Sequence, residues 1–209
     1  MPVIAMVGNK GGAGKTTLTI NLAAGLSQEH DVVILDADPQ RSSLQWREIS
    51  GSNPALSVVE AGDEIGREIA RLMDSYHYHL IDCPPSVHSM QMQQALRSAD
   101  LAIVPVLPSP LDIWASVMAE EEIEQARADN PRLDALLVIN QMEPRTRLSQ
   151  IMRRALAELS IPAAETAIRR RMAYRNGILE GRTVHDMGSS GREASCEIHA
   201  LIREMENYI

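Results

Sequence analysis

Gly8-Asn9-Lys10-Gly11-Gly12-Ala13-Gly14-Lys15-Thr16-Thr17 follows a short apolar run, Val3 to Val7, and leads into an amphipathic stretch from Thr16 to Ser27. A strand, a glycine-rich bend and a helix start in that order make an anion cradle. The glycines let backbone N–H groups turn inward, and the helix N-terminus adds its partial positive charge. Lys15 is placed to reach the β and γ phosphates of a nucleotide and the Thr16 hydroxyl to ligate Mg²⁺, with Gly11, Gly12, Ala13, Gly14 and Thr17 forming the rest of the cradle. The strict G-x-x-x-x-G-K-[ST] pattern is not met, because Asn9 stands where its first glycine belongs. A second lysine, Lys10, sits inside the loop instead.

Outward from this loop, short apolar runs alternate with longer amphipathic ones. Val32 to Leu35, Leu56 to Val59, His79 to Ile81, Leu101 to Val106 and Leu136 to Ile139 read as further strands. Glu64 to Met73, Met90 to Arg97, Ile113 to Ala128 and Arg192 to Tyr208 read as helices. The alternation predicts an α/β fold: a mostly parallel, twisted sheet with helices on both faces. The near-continuous apolarity of the strands fits burial on two sides. No linker, repeat or low-complexity tract divides the chain, so residues 1–209 are expected to form a single domain. The last helix carries Ile198, Leu201, Ile202 and Met205 on one stripe and glutamates on the other, which predicts packing on the domain rather than on a membrane surface.

With 209 residues, 44% of them hydrophobic and 23% charged, the chain is long enough for one core and ordinary in composition. Phe is absent and aromatics make up only 3%, which excludes an aromatic platform for single-stranded nucleic acid. No apolar run reaches the roughly 18 residues of a membrane span. Cys83 and Cys196 belong to no CxxC and read as reduced thiols, consistent with a cytoplasmic protein. The six histidines show no metal-ligand spacing, and His77 and His79 read as solvated side chains at a strand edge.

The formal net charge is −8, yet between Gln141 and Arg182 nine arginines stand against four glutamates, a local +5. A basic segment is therefore embedded in an acidic chain. Of the 20 basic residues only Lys10 and Lys15 are lysine, and both lie in the phosphate loop. An ammonium is a compact point charge that fits a narrow loop better than the flat guanidinium fork.

Lys10-Gly11-Gly12-Ala13-Gly14-Lys15-Thr16-Thr17 resembles the deviant Walker A box of the ParA/MinD family of P-loop ATPases. Leu35-Asp36-Ala37-Asp38-Pro39-Gln40 resembles that family's switch I, and His79-Leu80-Ile81-Asp82-Cys83-Pro84-Pro85 its Walker B strand and switch II. The resemblance implies that Lys10 crosses a dimer interface to the partner's nucleotide, so that ATP is sandwiched between two copies. It also implies that Asp38 orients or deprotonates the attacking water, that Asp82 with Thr16 holds Mg²⁺, and that Asn140 contacts adenine. Asp36 reads as structural. Pro108-Ser109-Pro110-Leu111-Asp112 resembles a segment of the small ParA-like proteins that borders either the base or the dimer interface.

Phosphoryl transfer needs positioning and charge neutralisation rather than a covalent nucleophile, and Lys10, Lys15 and Asp38 supply the catalytic groups. The family's short members imply the output. In the ATP state the dimer binds non-specific double-stranded DNA over the nucleoid, and a cargo-adaptor protein stimulates slow hydrolysis. The cargo is a plasmid or a protein body such as a carboxysome. Arg145, Arg147, Arg153, Arg154, Arg169, Arg170, Arg171 and Arg175 are the candidates for the DNA surface. The chain starts directly at its first strand, so no N-terminal helix-turn-helix is expected. A membrane-cycling MinD-like ATPase and a metabolic ligase of the same fold are the competing readings.

Overall fold

Residues 1–51, 56–143 and 147–209 are described by a computed structural model, with side chains throughout except at 147–150. Six strands carry the fold: β1 (Val3–Met6), β2 (Val32–Asp36), β3 (Ser57–Glu60), β4 (Tyr78–Asp82), β5 (Leu101–Val106) and β6 (Asp134–Ile139). They form one sheet in the order β3-β2-β4-β1-β5-β6, and every pairing is parallel. Between and after them run α1 (Lys15–Leu26), α2 (Ser42–Ile49), α3 (Ile65–Leu72), α4 (Met90–Ser98), α5 (Pro110–Asp129), α6 (Arg147–Leu156), α7 (Met172–Leu179) and α8 (Arg192–Met205).

Side chains alternate across a strand, so each strand feeds two cores. Val3, Ala5 and Val7 point with Val33, Leu35 and Ile81 to the side covered by α3, α4, α5 and α6. Ile4 and Met6 point with Ile34 and Leu80 to the side covered by α1, α2, α7 and α8. Cores built this way need no Phe, because β-branched and leucine side chains interdigitate from both layers. Caps fix the helix starts. Ser89 accepts the Met92 N–H at 3.2 Å, and Ser109 accepts the Asp112 N–H at 3.3 Å ahead of Pro110 in the first turn of α5.

α8 packs as its stripe predicts. Ala194, Ile198, Leu201, Ile202 and Met205 are buried against the α1 side of the sheet. The two helices approach closely at Gly25 of α1, where an added methyl would sit 2.6 Å from Cδ1 of Ile202.

Three helices lie outside the expected set. α2 buries only Ser43 and Trp46, and α7 is eight residues long with a glycine inside, but α6 does carry an apolar stripe at helical spacing, Leu148, Ile151, Met152 and Leu156, which the expectation omits. His79 also corrects the sequence reading. β4 is an inner strand between β2 and β1 rather than an edge, so His79 is fully buried beneath α3. Neither ring nitrogen has a hydrogen-bond partner, and burial lowers its pKa, which keeps the ring neutral. His77 just before the strand is exposed and stacks on His30 at a centroid distance of 4.8 Å.

Leu201 has no exposed surface in the α1–α8 contact. Truncation to Ala is expected to cost about 3 kcal/mol. Urea denaturation of Leu201→Ala measures this, and a loss below about 1 kcal/mol would mean that α8 is a loosely attached tail.

Candidate functional site

All the expected site residues with described side chains, the arginines apart, come from the carboxyl edge of the sheet, where parallel strands release their loops. The phosphate loop joins β1 to α1. Gly12 and Gly14 take φ of 79° and 94°, and Gly14 is the left-handed N-cap of α1. That conformation favours glycine, and a Cβ at Gly14 would run into the amide of Asn140. Lys15 is only 6% exposed and donates to the Lys10 carbonyl at 3.1 Å, folding its ammonium back into the loop. Burial lowers its pKa, opposed chiefly by the nearby carboxylates of Asp82 and Asp38.

Asp82 closes β4 directly opposite. Its carboxyl is buried, Ser43 donates to Oδ2 at 2.8 Å, and Oδ1 has no hydrogen-bond partner. Burial pushes its pKa up to about 7, although Ser43, the Thr16 hydroxyl and Lys15 all pull it down. Ser43 escapes sequence reading because nothing in a Ser-Ser pair marks which hydroxyl faces a carboxylate 39 residues away.

Asp36 is structural, as the sequence reading holds. Its oxygens accept the Asp38 N–H at 3.2 Å and the Leu44 N–H at 2.9 Å, so it shapes the turn and the start of α2. Asp38 is half-buried on that turn and accepts the Gln40 N–H at 2.9 Å. Arg41, next on the turn, takes φ of 55°, and Gln141 after β6 takes 54°. These are the two non-glycine residues with positive φ among those described, and both adjoin the site. Each such conformation costs on the order of 1 kcal/mol and clusters where function overrides local preference.

Asn140, at the end of β6, is 5% exposed. Its Nδ2 donates to the Ala13 carbonyl at 2.7 Å, and its Oδ1 accepts the Gln141 N–H at 2.9 Å. Asn140 thus clamps the phosphate loop as well as facing a cleft of about 560 Å³ beside Gly14 and Thr17.

Lys10 is held within its own chain. Its Nζ lies 2.7 Å from Oδ2 of Asp112, a buried carboxylate that also accepts from the Ser109 hydroxyl. The Lys10 side chain remains 42% exposed. The Pro108–Asp112 segment, which the sequence left without a firm role, therefore supplies the partner of the loop's second lysine.

The arginines are brought together, but on the cleft wall. Arg169, Arg170, Arg171 and Arg175 line the cleft with Tyr174 and Leu179. Arg171 is largely covered and paired with Glu193 and with Glu197, the latter at 2.7 Å. Arg169 lies 3.7 Å from Glu197, and Arg170 lies 3.1 Å from Glu143. Arg175 is exposed without an ion pair among the described residues. Arg153 and Arg154 are exposed on α6, Arg153 donating to the Glu165 carbonyl at 3.2 Å. Arg145 lies outside the described residues, and Arg147 opens α6 with its side chain outside them.

The raised pKa of Asp82 fixes the sign of a pH effect. Between about pH 4 and pH 7 the fold retains a proton that the unfolded chain has released, so stability falls as pH rises through that window. In nucleotide-free, magnesium-free protein, Asp82→Asn should melt several degrees above the parent at pH 8, with the difference closing toward pH 4. Scanning calorimetry across pH tests this, and parallel curves would show that Asp82 ionises normally in the fold.

The loop, the two strand-end aspartates and the cleft beside them match a known domain over most of the chain. Residues 4–184 fit the CobQ/CobB/MinD/ParA nucleotide binding domain. Over 207 residues the sequence is 38% identical to "Maintenance of carboxysome distribution protein A" of Halothiobacillus neapolitanus, spanning 97% of this chain and 95% of that protein. The ATP complex of a Cyanothece McdA variant has the same fold, at a TM-score of 0.75 and 16% identity over 100% of this chain and 97% of that one. So does cobyrinic acid a,c-diamide synthase of Mycobacterium smegmatis with an ATP analogue and magnesium, at 0.79 and 19% over 99% and 96%. At those identities the likeness to the solved structures is one of fold alone. By the domain match and the 38% relative, the chain belongs to the CobQ/CobB/MinD/ParA family of nucleotide-binding proteins.

Proposed function

We propose that this protein is a Mg²⁺-dependent ATPase that dimerises around ATP, binds DNA without sequence preference in that state, and positions a cargo through slow, partner-stimulated hydrolysis. The observation that carries the reading is the division of labour between the chain's two lysines. Lys15 is buried in the loop, where phosphates belong, whereas Lys10 sits half-exposed at its rim, where a second molecule can be reached. The 38% relationship to a carboxysome-distribution protein supports a carboxysome-like cargo over a plasmid.

The site fits a divalent cation. Asp82 Oδ1 is a buried oxygen with no hydrogen-bond partner, and the Thr16 hydroxyl lies beside the same carboxyl. Asp82 and Thr16 would hold Mg²⁺, which when bound supplies charge neutralisation for the phosphates. The chain's own residues do the rest. Lys15 and the loop N–H groups hold the phosphates, and Asp38 orients water. Lys10 leaves Asp112 to face the partner's nucleotide.

A membrane-cycling role has less support. The apolar stripe of α8 is consumed by packing, two of its glutamates are occupied with Arg171, and no helix among the described residues is long and apolar enough to cross a membrane. For DNA, Arg153, Arg154 and Arg175, which have no ion pair among the described residues, are better placed than Arg171, whose removal should loosen α8.

Sedimentation with Mg-ATP, Mg-ADP or no nucleotide tests the dimer. The parent should dimerise only with ATP, Lys15→Gln should not bind nucleotide, and Lys10→Ala should bind it as a monomer. A Lys10→Ala dimer as tight as the parent's would overturn the sandwich. Gel shifts on random-sequence duplex should show ATP-dependent binding that weakens with salt. Arg153→Ala and Arg154→Ala should each flatten that salt slope by about one unit per lost contact. Binding indifferent to nucleotide would remove the switch, and a rate that responds to a small-molecule acid but not to DNA would favour a ligase.

A further inference from the structure

His185 stands where α1 and α8 meet. It sits half-buried on a one-turn 3₁₀ helix, Val184–Asp186, ahead of α8, and its ring is bonded to both long helices. Nε2 lies 3.1 Å from the carbonyl oxygen of Asn21 on α1. A carbonyl oxygen only accepts, so Nε2 carries the hydrogen and Nδ1 is left with its lone pair. The Ser195 hydroxyl of α8 lies 2.9 Å from Nδ1, and the side-chain amide nitrogen of Gln28, just past α1, lies 3.3 Å from it. An amide nitrogen only donates, so the whole arrangement suits the neutral ring. The ring has little room to move, because a methyl group on Gly25 would sit 3.3 Å from Nε2.

We propose that His185 is a proton-operated clasp between α8 and α1, closed by the neutral imidazole and opened when Nδ1 takes a proton. Protonation turns the Nδ1 lone pair into a donor that faces the Gln28 amide donor, and it forces the Ser195 hydroxyl to turn round. His199 of α8, whose ring centroid is 4.9 Å away and whose Nδ1 lies 3.4 Å from the same hydroxyl, resists a second charge beside it. The carboxylate of Asp186 favours the charged ring, but it is exposed and occupied by the N–H and hydroxyl of Thr183 at 2.9 and 2.7 Å. Arg182 donates to the Asp186 carbonyl, and Arg47 of α2 lines the same cavity of about 250 Å³, so both guanidinium groups oppose a further cation there. Burial accordingly lowers the His185 pKa from its ordinary value of about 6.5, with the Asn21 carbonyl and Asp186 opposing and His199 adding to the shift.

The clasp holds the helix that starts at the phosphate loop. Asn21 is buried, accepts the Val184 N–H on Oδ1 at 2.9 Å, and donates from Nδ2 to the Thr17 carbonyl at 2.7 Å. The residue before the ring is thus tied through one buried amide to the first turn of α1, which carries Lys15 and Thr16. Opening the clasp removes a brace from α1 as well as from α8, so the site holds nucleotide less tightly in acid. That consequence rests on the nucleotide-binding reading of the loop, whereas the clasp itself does not.

The test compares the full chain with His185→Gln, whose amide keeps a donor for Asn21 and takes no proton. Below about pH 6.5 the unfolded chain binds a proton that the folded ring refuses, so the stability that the neutral ring gives is complete above that pH and is lost beneath it. Between about pH 7.5 and about pH 5.5 the unfolding constant of the parent relative to the variant should therefore rise by up to about tenfold. Over the same range, native-state hydrogen exchange corrected for intrinsic rates should show the Val184 amide losing up to about tenfold in protection in the parent and holding steady in His185→Gln. The parent-to-variant ratio of Mg-ADP affinities, in which the titration of Asp82 cancels, should fall about fivefold. A relative unfolding constant and a Val184 protection that ignore pH overturn the clasp. A clasp that opens while the Mg-ADP ratio stays constant overturns its link to the site, and a parent that binds no Mg-ADP at about pH 7.5 overturns the nucleotide reading instead. Should His185→Gln fold poorly, Ser195→Ala keeps the ring and removes one donor to Nδ1. NMR titration should then find the His185 pKa raised toward its ordinary value, and an unmoved pKa overturns the proposal.

Discussion

An ammonium and a carboxyl, those of Lys15 and Asp82, are both buried at the carboxyl edge of the sheet, and neither is comfortable there alone. Burial lowers the pKa of Lys15 and raises that of Asp82, so the solvent-poor pocket disfavours both charged forms even though each partly offsets the other. On the proposed function, a polyphosphate would supply the anion that Lys15 and the loop N–H groups lack, and a divalent cation would supply the charge that Asp82 lacks, so that the two together relieve what the fold carries at that edge.

Side chains tie otherwise separate elements together around the site, two of them at the phosphate loop itself. Ser43 binds Asp82 to the start of α2, Asp36 binds β2 to Leu44, Asn140 binds β6 to Ala13, and Asp112 binds α5 to Lys10. Each bond runs from a sheet strand or the phosphate loop to the next layer. A change in charge at the loop therefore has two direct routes outward, through Asn140 and through Asp112, of which the Lys10–Asp112 pair is the more exposed.

The six strands were legible as short, nearly continuous apolar runs and α3, α4 and α8 as amphipathic stripes, whereas α1, buried almost all round, and α5 were located by the phosphate loop and strands beside them. The phosphate loop was legible because glycine at Gly12 and Gly14 and lysine at Lys10 and Lys15 are choices with few other uses in that order. What escaped was tertiary. Nothing local distinguishes His79 in an inner strand from a histidine at an edge, since strand order is set by pairing over long separations. Ser43 and Asp112 escaped for the same reason, each gaining its meaning from a charge more than 35 residues away.

The arginine segment shows most clearly why counting along the chain differs from counting across a surface. Its net +5 comes from sequence neighbours, yet two of its matching carboxylates, Glu193 and Glu197, arrive from α8, beyond the segment's end. They bind Arg171 because α8 must already lie across α1 to bury Leu201 and Ile202, so the apolar stripe decides which arginines are spoken for. Arg169, Arg170 and Arg171 then serve as a braced wall for the cleft. Among the described side chains of the segment, Arg153, Arg154 and Arg175 have no carboxylate partner. Those three sit on the exposed faces of α6 and α7, whose other faces turn Met152, Leu156, Ala173 and Tyr174 to the cores.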